Sequence, residues 1–299
     1  KRLQLIRRAN TIAAEDFRNL LRSPQGAGAL QYLHDRGFSD EVIERFELGY
    51  ALDSWDALLR HLRASGIDGE IAAEAGLAKE RDSGGYYDAF RNRVIFPIIK
   101  AGGTVIAFGG RALDPEDPAK YLNSADTPIF KKRQQLYGLN LANKAINHEN
   151  SVIVVEGYTD VVALHQAGME HTVACLGTAL TESHLDLLAR YADEIVIAYD
   201  ADRAGMDAAV RNIPMLENCG ADVQIVILPE GLDPDDCIQK RGTDGFLQVL
   251  QSRKSPVEYE VELEFAKQED RGREGLLQAL PKVVDILLRV QDNTRRGQF

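Results

Sequence analysis

The chain has 299 residues, 44% hydrophobic and 27% charged, enough for two or three domains with a sizeable core and the balance of an ordinary soluble globular protein. No run approaches the ~18 apolar residues of a membrane span, and the three cysteines, Cys175, Cys219 and Cys237, show neither metal-ligand spacing nor an even count for a disulfide framework. A net charge of −11 argues against a nucleic-acid partner until it is located: residues 149–245 carry 18 acidic and 5 basic side chains, whereas residues 89–133 hold 8 basic and 4 acidic ones.

The first residues, Lys1-Arg2-Leu3, lack a methionine and the apolar centre of a signal peptide, so the chain reads as a segment of a longer protein from a reducing, cytoplasmic setting. Leu5, Ile12, Phe17, Leu20 and Leu21 keep helical spacing up to the stop at Ser23-Pro24-Gln25-Gly26. A second helix covers 27–36 and closes on Arg36-Gly37; Ser39-Asp40-Glu41 caps a third, with Val42, Ile43 and Phe46 on its apolar side. Trp55, Leu58, Leu59 and Leu62 continue the helical pattern, and the burial habit of aromatic side chains predicts Trp55 in the core. From about residue 84 the texture changes to strands. Arg93 to Ile99 and Val105 to Phe108, joined by Ala101-Gly102-Gly103, predict a hairpin that closes on Gly109-Gly110-Arg111. The polar segment 112–130 predicts a surface loop, and Leu136-Tyr137-Gly138-Leu139 opens a helix toward residue 148.

Beyond residue 150 the pattern alternates regularly. Short β-branched runs at 151–155, 171–176, 195–199 and 223–228 are separated by helical patterns from Val161, Thr181 and about 204. This order predicts an α/β domain with a parallel sheet and helices on both faces. The tail from Pro256 to Val290, with Val257, Val261, Phe265, Leu276, Leu277, Leu280, Val284 and Leu287, predicts a small helical domain. The resulting division is a basic mixed α+β module at 1–148, an α/β domain at 149–245, whose acidic strand ends make it the candidate metal-binding catalytic domain, and a helical bundle at 246–299.

Three of those strands end in acid. Ser151 to Val155 leads into Glu156-Gly157-Tyr158-Thr159-Asp160, Ile195 to Tyr199 into Asp200-Ala201-Asp202, and the run to Leu228 is followed by Asp233-Pro234-Asp235. Ligands of open parallel sheets sit beyond the carboxyl ends of the strands. Carboxylates gathered there repel one another unless a cation neutralises them, and oxygen-only ligands select a hard ion such as Mg²⁺. The Asp-x-Asp spacing points both side chains to one side of an extended segment. Two ions clamped by such a set can assist in-line displacement at phosphorus, one lowering the pKa of the attacking oxygen and one stabilising the leaving oxygen. No histidine lies inside these motifs, which leaves base catalysis to a carboxylate, Glu156, or to a metal-held oxygen. Each aspartate taken alone reads first as a helix cap or turn residue, Asp160 and Asp207 among them, and the ligand reading rests on the three acidic strand ends together.

Glu156-Gly157-Tyr158-Thr159-Asp160 and Tyr199-Asp200-Ala201-Asp202-Arg203-Ala204-Gly205 resemble the signature of the Toprim domain, shared by bacterial primases, topoisomerases and some nucleases. Phe90-Arg91-Asn92-Arg93-Val94-Ile95-Phe96-Pro97-Ile98, Ala107-Phe108-Gly109-Gly110-Arg111, Lys120-Tyr121-Leu122-Asn123-Ser124 and Leu136-Tyr137-Gly138-Leu139 resemble the bacterial DNA primase (DnaG) family. Tyr32-Leu33 with Arg36-Gly37, and Phe46 to Ala51, fit the same family. The resemblance implies a Toprim-type parallel sheet preceded by the basic module and followed by a helical bundle. It implies Glu156, Asp200 and Asp202 as principal metal ligands and catalytic residues, with Asp160, Asp233 and Asp235 as further acidic positions. Arg36, Arg111, Lys120, Tyr121 and Lys132 fall at positions associated with template or nucleotide binding. Arg111, behind two glycines, suits bidentate phosphate contact, whereas Tyr121 either stacks on a base or packs inside. Two departures stand out. Ala89 replaces a basic residue, and Lys131-Lys132-Arg133-Gln134 replaces a Lys-Gly-Arg order, which fixes Lys132 only to within a residue.

The function so implied is synthesis of short RNA primers on single-stranded DNA from ribonucleoside triphosphates, with Mg²⁺ or Mn²⁺ and no zinc in this segment. Replicative helicase and single-strand-binding protein would act through flanking domains, and no membrane is involved. The rivals are a Toprim nuclease or topoisomerase that cleaves phosphodiesters and a non-catalytic DNA-binding mediator. A topoisomerase needs a tyrosine in a cleavage domain not evident here, and a mediator would not require the full acidic set.

Overall fold

The computed structural model describes residues 1–200, 203–217, 219–229, 231–268 and 272–289, without the side chains of 203–207. It divides into two units, Lys1–His148 with Val155–Ala179 and Glu149–Val154 with Leu180–Phe299. No helix among the described residues is long and apolar enough to cross a membrane.

In the first unit α1 (Arg2–Leu21) buries Ile6, Ala13, Phe17 and Leu21, one face at helical spacing, and stops before Pro24. α2 (Ala27–Asp35) ends at Gly37, whose φ of +82° is a left-handed turn that a side chain would strain. The Ser39 hydroxyl accepts the Val42 N–H at 3.3 Å and starts α3 (Asp40–Arg45). After β1 (Gly49–Ala51) comes α4 (Ala57–Ala64). Its own Asp56 makes no cap; instead the buried Asp88 carboxylate accepts the N–H groups of Leu58 and Leu59 at 2.8 and 3.0 Å. Asp88 belongs to β3 (Tyr86–Asp88), which pairs antiparallel with β2 (Ala78–Glu80) after the short α5 (Gly69–Glu74).

The predicted hairpin is β4 (Arg93–Ile99) and β5 (Val105–Ala112), with Ile95 opposite Gly110 and Phe96 opposite Gly109. It lies in an antiparallel sheet of order β1-β4-β5-β6. β6 (Tyr121–Asn123) lies within the stretch expected to be loop. Three residues are too short for periodicity to register, and the strand exists because β5 offers it an edge, Arg111 opposite Tyr121. Trp55 is a second correction: it is 56% exposed, one turn outside the buried stripe of Leu58, Leu59 and Leu62. The unit's later elements are α6 (Leu139–Glu149), α7 (Tyr158–Gln166) and β8 (Thr172–Ala174). Tyr158 of α7 stacks on Phe96 at 5.2 Å and meets Tyr137 edge-on at 4.8 Å. This packing explains Gly109: a Cβ there would lie 2.4 Å from the Tyr158 ring.

The second unit carries the parallel sheet. β7 (Ser151–Val155), β9 (Glu194–Tyr199) and β10 (Asp222–Ile227) run parallel in the order β10-β9-β7, with Val154 opposite Ile197 and Ile227 opposite Tyr199. Their interiors are buried Val and Ile, as strands covered on both sides require. α8 (Glu182–Leu188), α9 (Arg203–Glu217) and α10 (Pro234–Gln251) connect and follow them, α10 kinking at Gly242 where φ is +70°. The tail is helical as expected, in α11 (Pro256–Ala266) and α12 (Gly272–Arg289). Of the apolar positions in its pattern, Val257, Val261 and Leu287 pack in the tail's own cluster. α12 packs by Gly275, Ala279, Val283 and Ile286, whose small residues allow close approach, and leaves Leu276, Leu277, Leu280 and Val284 about half exposed.

Candidate active site

Glu156 is the first residue past β7, and its side chain is exposed. Gly157 then turns the chain into α7, and the Asp160 carboxylate in the first turn bends back to accept the Gly157 N–H at 2.9 Å. A Cβ on Gly157 would meet that carboxylate at 2.6 Å, so glycine is what lets Asp160 close the turn. Asp160 is buried, 5% exposed. The capping reading thus accounts for its geometry.

In the second unit Asp200 directly follows β9 and is half-buried. Asp202, the other half of the Asp-x-Asp, lies outside the described residues. Asp233 caps α10 by accepting the Asp236 N–H at 2.7 Å, with Pro234 at the first helical position. Asp235 is buried to 1% and accepts the Gln239 amide at 2.8 Å. Among the described residues no three His, Cys, Asp or Glu gather into a group that could hold a metal. The donor chemistry nevertheless suits a hard cation, since every predicted ligand is a carboxylate and Glu156 and Asp200 each begin just where a parallel strand ends.

The basic module brings three of its predicted residues together. Arg111 on β5 donates through Nη1 to the Tyr121 hydroxyl at 2.7 Å, and that hydroxyl lies 3.5 Å from Thr159 Oγ1 in the first turn of α7. The Arg111 guanidinium stands 5.0 Å from the Tyr121 ring and 5.6 Å from the Tyr32 ring. Arg36 donates to the Tyr32 hydroxyl at 3.1 Å. Burial raises the Tyr121 phenol above its ordinary value despite the opposing cation of Arg111. Tyr121 is therefore a packed tyrosine that holds Arg111 against the helix carrying Asp160. Lys120 is exposed at the next position, and Lys132 sits in a single helical turn (Lys132–Gln134) whose first N–H is taken by Asp126 at 3.1 Å.

The sequence reading missed a platform. The Trp55 indole lies 5.5 Å from the Tyr87 ring, with the Arg91 guanidinium 4.2 Å and that of Arg81 5.3 Å from its centre. Beside it opens a polar cleft of about 330 Å³ lined by Lys79, Arg91, Asn92, Arg93, Asp114 and Asp117. The available signal was Trp55 falling ahead of the Leu58-Leu59-Leu62 stripe, together with the two arginines of Arg91-Asn92-Arg93.

Comparisons with known proteins match these parts one by one. The DNA primase catalytic core, N-terminal domain, matches residues 16–143, and the Toprim-like family matches residues 153–238. The DNA primase of Clostridium acetobutylicum is 41% identical over 271 residues, covering 91% of this chain and 44% of its own length. The chain thus spans less than half the length of the curated relatives it matches. The crystal structure of the RNA polymerase domain of Mycobacterium tuberculosis primase DnaG superposes with a TM-score of 0.89 at 32% identity, covering 100% of this chain and 97% of that one. The DnaG primase catalytic domain bound to ssDNA gives 0.85 at 34% identity, covering 99% and 96%. With its elements, its motifs and nearly its whole length matched in this way, the chain belongs to the bacterial DNA primase family.

Proposed function

We propose that this chain is the polymerising core of a primase, joining ribonucleoside triphosphates into short RNA primers on a single-stranded DNA template. The observation that carries this reading is the run Arg36–Tyr32–Arg111–Tyr121–Thr159. It fixes two guanidinium groups to the first turn of α7, between Glu156 and Asp160. Cationic side chains held next to carboxylates suit a triphosphate that arrives with its own divalent ion. Glu156, Asp200 and Asp202 would hold that ion, with Asp160, Asp233 and Asp235 supporting. Mg²⁺, replaceable by Mn²⁺, supplies neutralisation of the triphosphate charge when bound. Glu156, exposed where Asp160 and Asp235 are buried, is the carboxylate a substrate reaches and the base that takes the 3′-hydroxyl proton. The Trp55–Arg91–Arg81 platform offers a base a stacking face and its phosphate two cations, which is sequence-tolerant binding of a single strand. The solved relative bound to ssDNA supports such a template partner. Helicase and single-strand-binding protein are the partners expected of the whole enzyme.

The test is incorporation of labelled ribonucleotides on a single-stranded template with Mg²⁺ or Mn²⁺, beside the Asp200→Ala/Asp202→Ala variant. Metal-dependent short RNA, lost in the variant, is the expected result. Metal-dependent nicking of the template without synthesis would move the chain to the nuclease branch.

A further inference from the structure

The platform of Trp55, Tyr87, Arg91 and Arg81 is assembled from separate stretches of chain, and one buried residue ties them together. Asp88 is 2% exposed, and each of its polar groups supports a member of the platform. Its N–H donates to the carbonyl of Trp55 itself at 2.8 Å. Its carbonyl accepts Nη1 of Arg91 at 2.5 Å, and that guanidinium lies 4.2 Å from the centre of the indole. Its carboxylate accepts the N–H groups of Leu58 and Leu59 at 2.8 and 3.0 Å, which fixes the start of α4 just beyond Trp55. Successive side chains of a strand face opposite sides. On β3 the Tyr87 ring therefore turns out to meet Trp55 at 5.5 Å, while the Asp88 carboxylate turns inward.

A nearer acid was available for the helix start. Asp56 stands at the N-cap position of α4, where a carboxylate keeps its contact with water, yet it makes no cap bond. Asp88 takes the task from a dry site, and burial lifts its carboxyl above the usual carboxylate range against the pull of the two N–H groups. What Asp88 adds over Asp56 is a link from α4 to the strand that carries Tyr87 and to Arg91. We propose that Asp88 is the positioning residue of this platform, holding Trp55 and the Arg91 guanidinium at stacking distance so that a base of a single strand meets a face already formed. The inference rests on the reading of the platform as a template surface and deepens it: Asp88 touches no nucleic acid and acts through Trp55 and Arg91. A preformed face matters because a loose indole and a loose guanidinium would each lose freedom on binding, which weakens affinity.

Trp55 is the chain's single tryptophan, so its fluorescence reports the platform directly. The intact protein is compared with Asp88→Ala, which removes the carboxylate, and Asp88→Asn, which keeps its shape and one acceptor oxygen. Ile6→Ala, a cavity in the packing of α1, measures the effect of stability loss alone. Three quantities are read: Tm, quenching of Trp55 emission by acrylamide in the free protein, and Kd for a single-stranded oligonucleotide by fluorescence anisotropy. In Asp88→Ala the indole should become more open to acrylamide and Kd should rise about tenfold, with Asp88→Asn between it and the parent. Ile6→Ala should lower Tm and leave the other two readings at the parent's values. Unchanged quenching, or an unchanged Kd, in Asp88→Ala overturns the proposal. So does a Kd that follows Tm alike in Asp88→Ala and Ile6→Ala, which marks a purely structural role. Should Asp88→Ala fail to fold, Asp88→Asn carries the same comparison. If the parent binds no oligonucleotide, the template reading fails, while quenching in the free protein still decides whether Asp88 holds the platform.

Discussion

His165 shows how one side chain can set a pH limit on the fold without touching the chemistry. It lies on α7, 2% exposed, edge-on to Phe46 at 5.0 Å, with its Nε2 2.9 Å from the Thr172 carbonyl. The ring is neutral and donates that proton, while its Nδ1 has no partner among the described residues. Burial, aided by the nearby Arg45 cation, lowers its pKa from 6.5 to about 4 against the pull of the Thr172 bond. Unfolded chains take up a proton on this ring below 6.5, and the folded chain refuses it until about 4. The unfolded state therefore binds more protons in that window, and stability falls as pH drops through it, by on the order of 3 kcal/mol in full. His165→Gln, which keeps a donor for Thr172, should flatten the dependence of Tm on pH between 6.5 and 4 while leaving it unaltered above pH 7. At this scale Glu156 and Asp200 were legible as strand-end residues, because an apolar run followed by acid is visible in any window. The packing of Tyr121 against Arg111 was not, since a hydroxyl's partner is a property of its surroundings and leaves no trace in spacing.

Elements follow the same rule. Helices with a cap and a stripe, α1 and α3 among them, were readable because their determinants lie within a few residues. Three-residue strands such as β1, β2 and β6 exist only through a partner strand, and α4 is capped by Asp88 from thirty residues away. Trp55 was misplaced for a related reason. Residues Trp55 to Leu62 read as one helix, but α4 begins at Ala57, which frees the indole to face solvent between Arg91 and Arg81. A ring already 56% exposed contributes little to the core. Trp55→Ala should therefore keep the parent's Tm while raising Kd for a single-stranded oligonucleotide about tenfold, read by fluorescence anisotropy. A drop in Tm with unchanged Kd would return the tryptophan to a structural role.

For the molecule as a whole, charge is distributed by region. The net −11 conceals a −13 in residues 149–245, and the basic side chains of 89–133 stand in the first unit. Template binding through those cations releases counterions, so log Kd should rise linearly with log salt concentration, by roughly 0.7 per phosphate engaged. Binding that is equally tight at low and high salt would argue that stacking alone holds the strand. The order of regions, basic module then parallel sheet then helical tail, was legible from the change in apolar period. Their connectivity was not, because it depends on which neighbours a segment chooses rather than on what it is made of.

That connectivity has a consequence for the chain while it is being made. Synthesis passes from the first unit into the second at residue 149, back at 155, and out again at 180. When Glu149 emerges, Tyr137 still waits for Ala174, to which it will both donate and accept at 2.8 and 3.1 Å. β7 is complete once Val155 has followed, and β9, which covers one of its edges, starts only at Glu194. At roughly 5–20 residues per second that edge of an Ile- and Val-rich strand stays bare for a few seconds. A premature stop or ribosomal pause between residues 155 and 194 would leave this edge open to another chain, so the nascent protein, more than the finished one, is where aggregation of this sequence should begin.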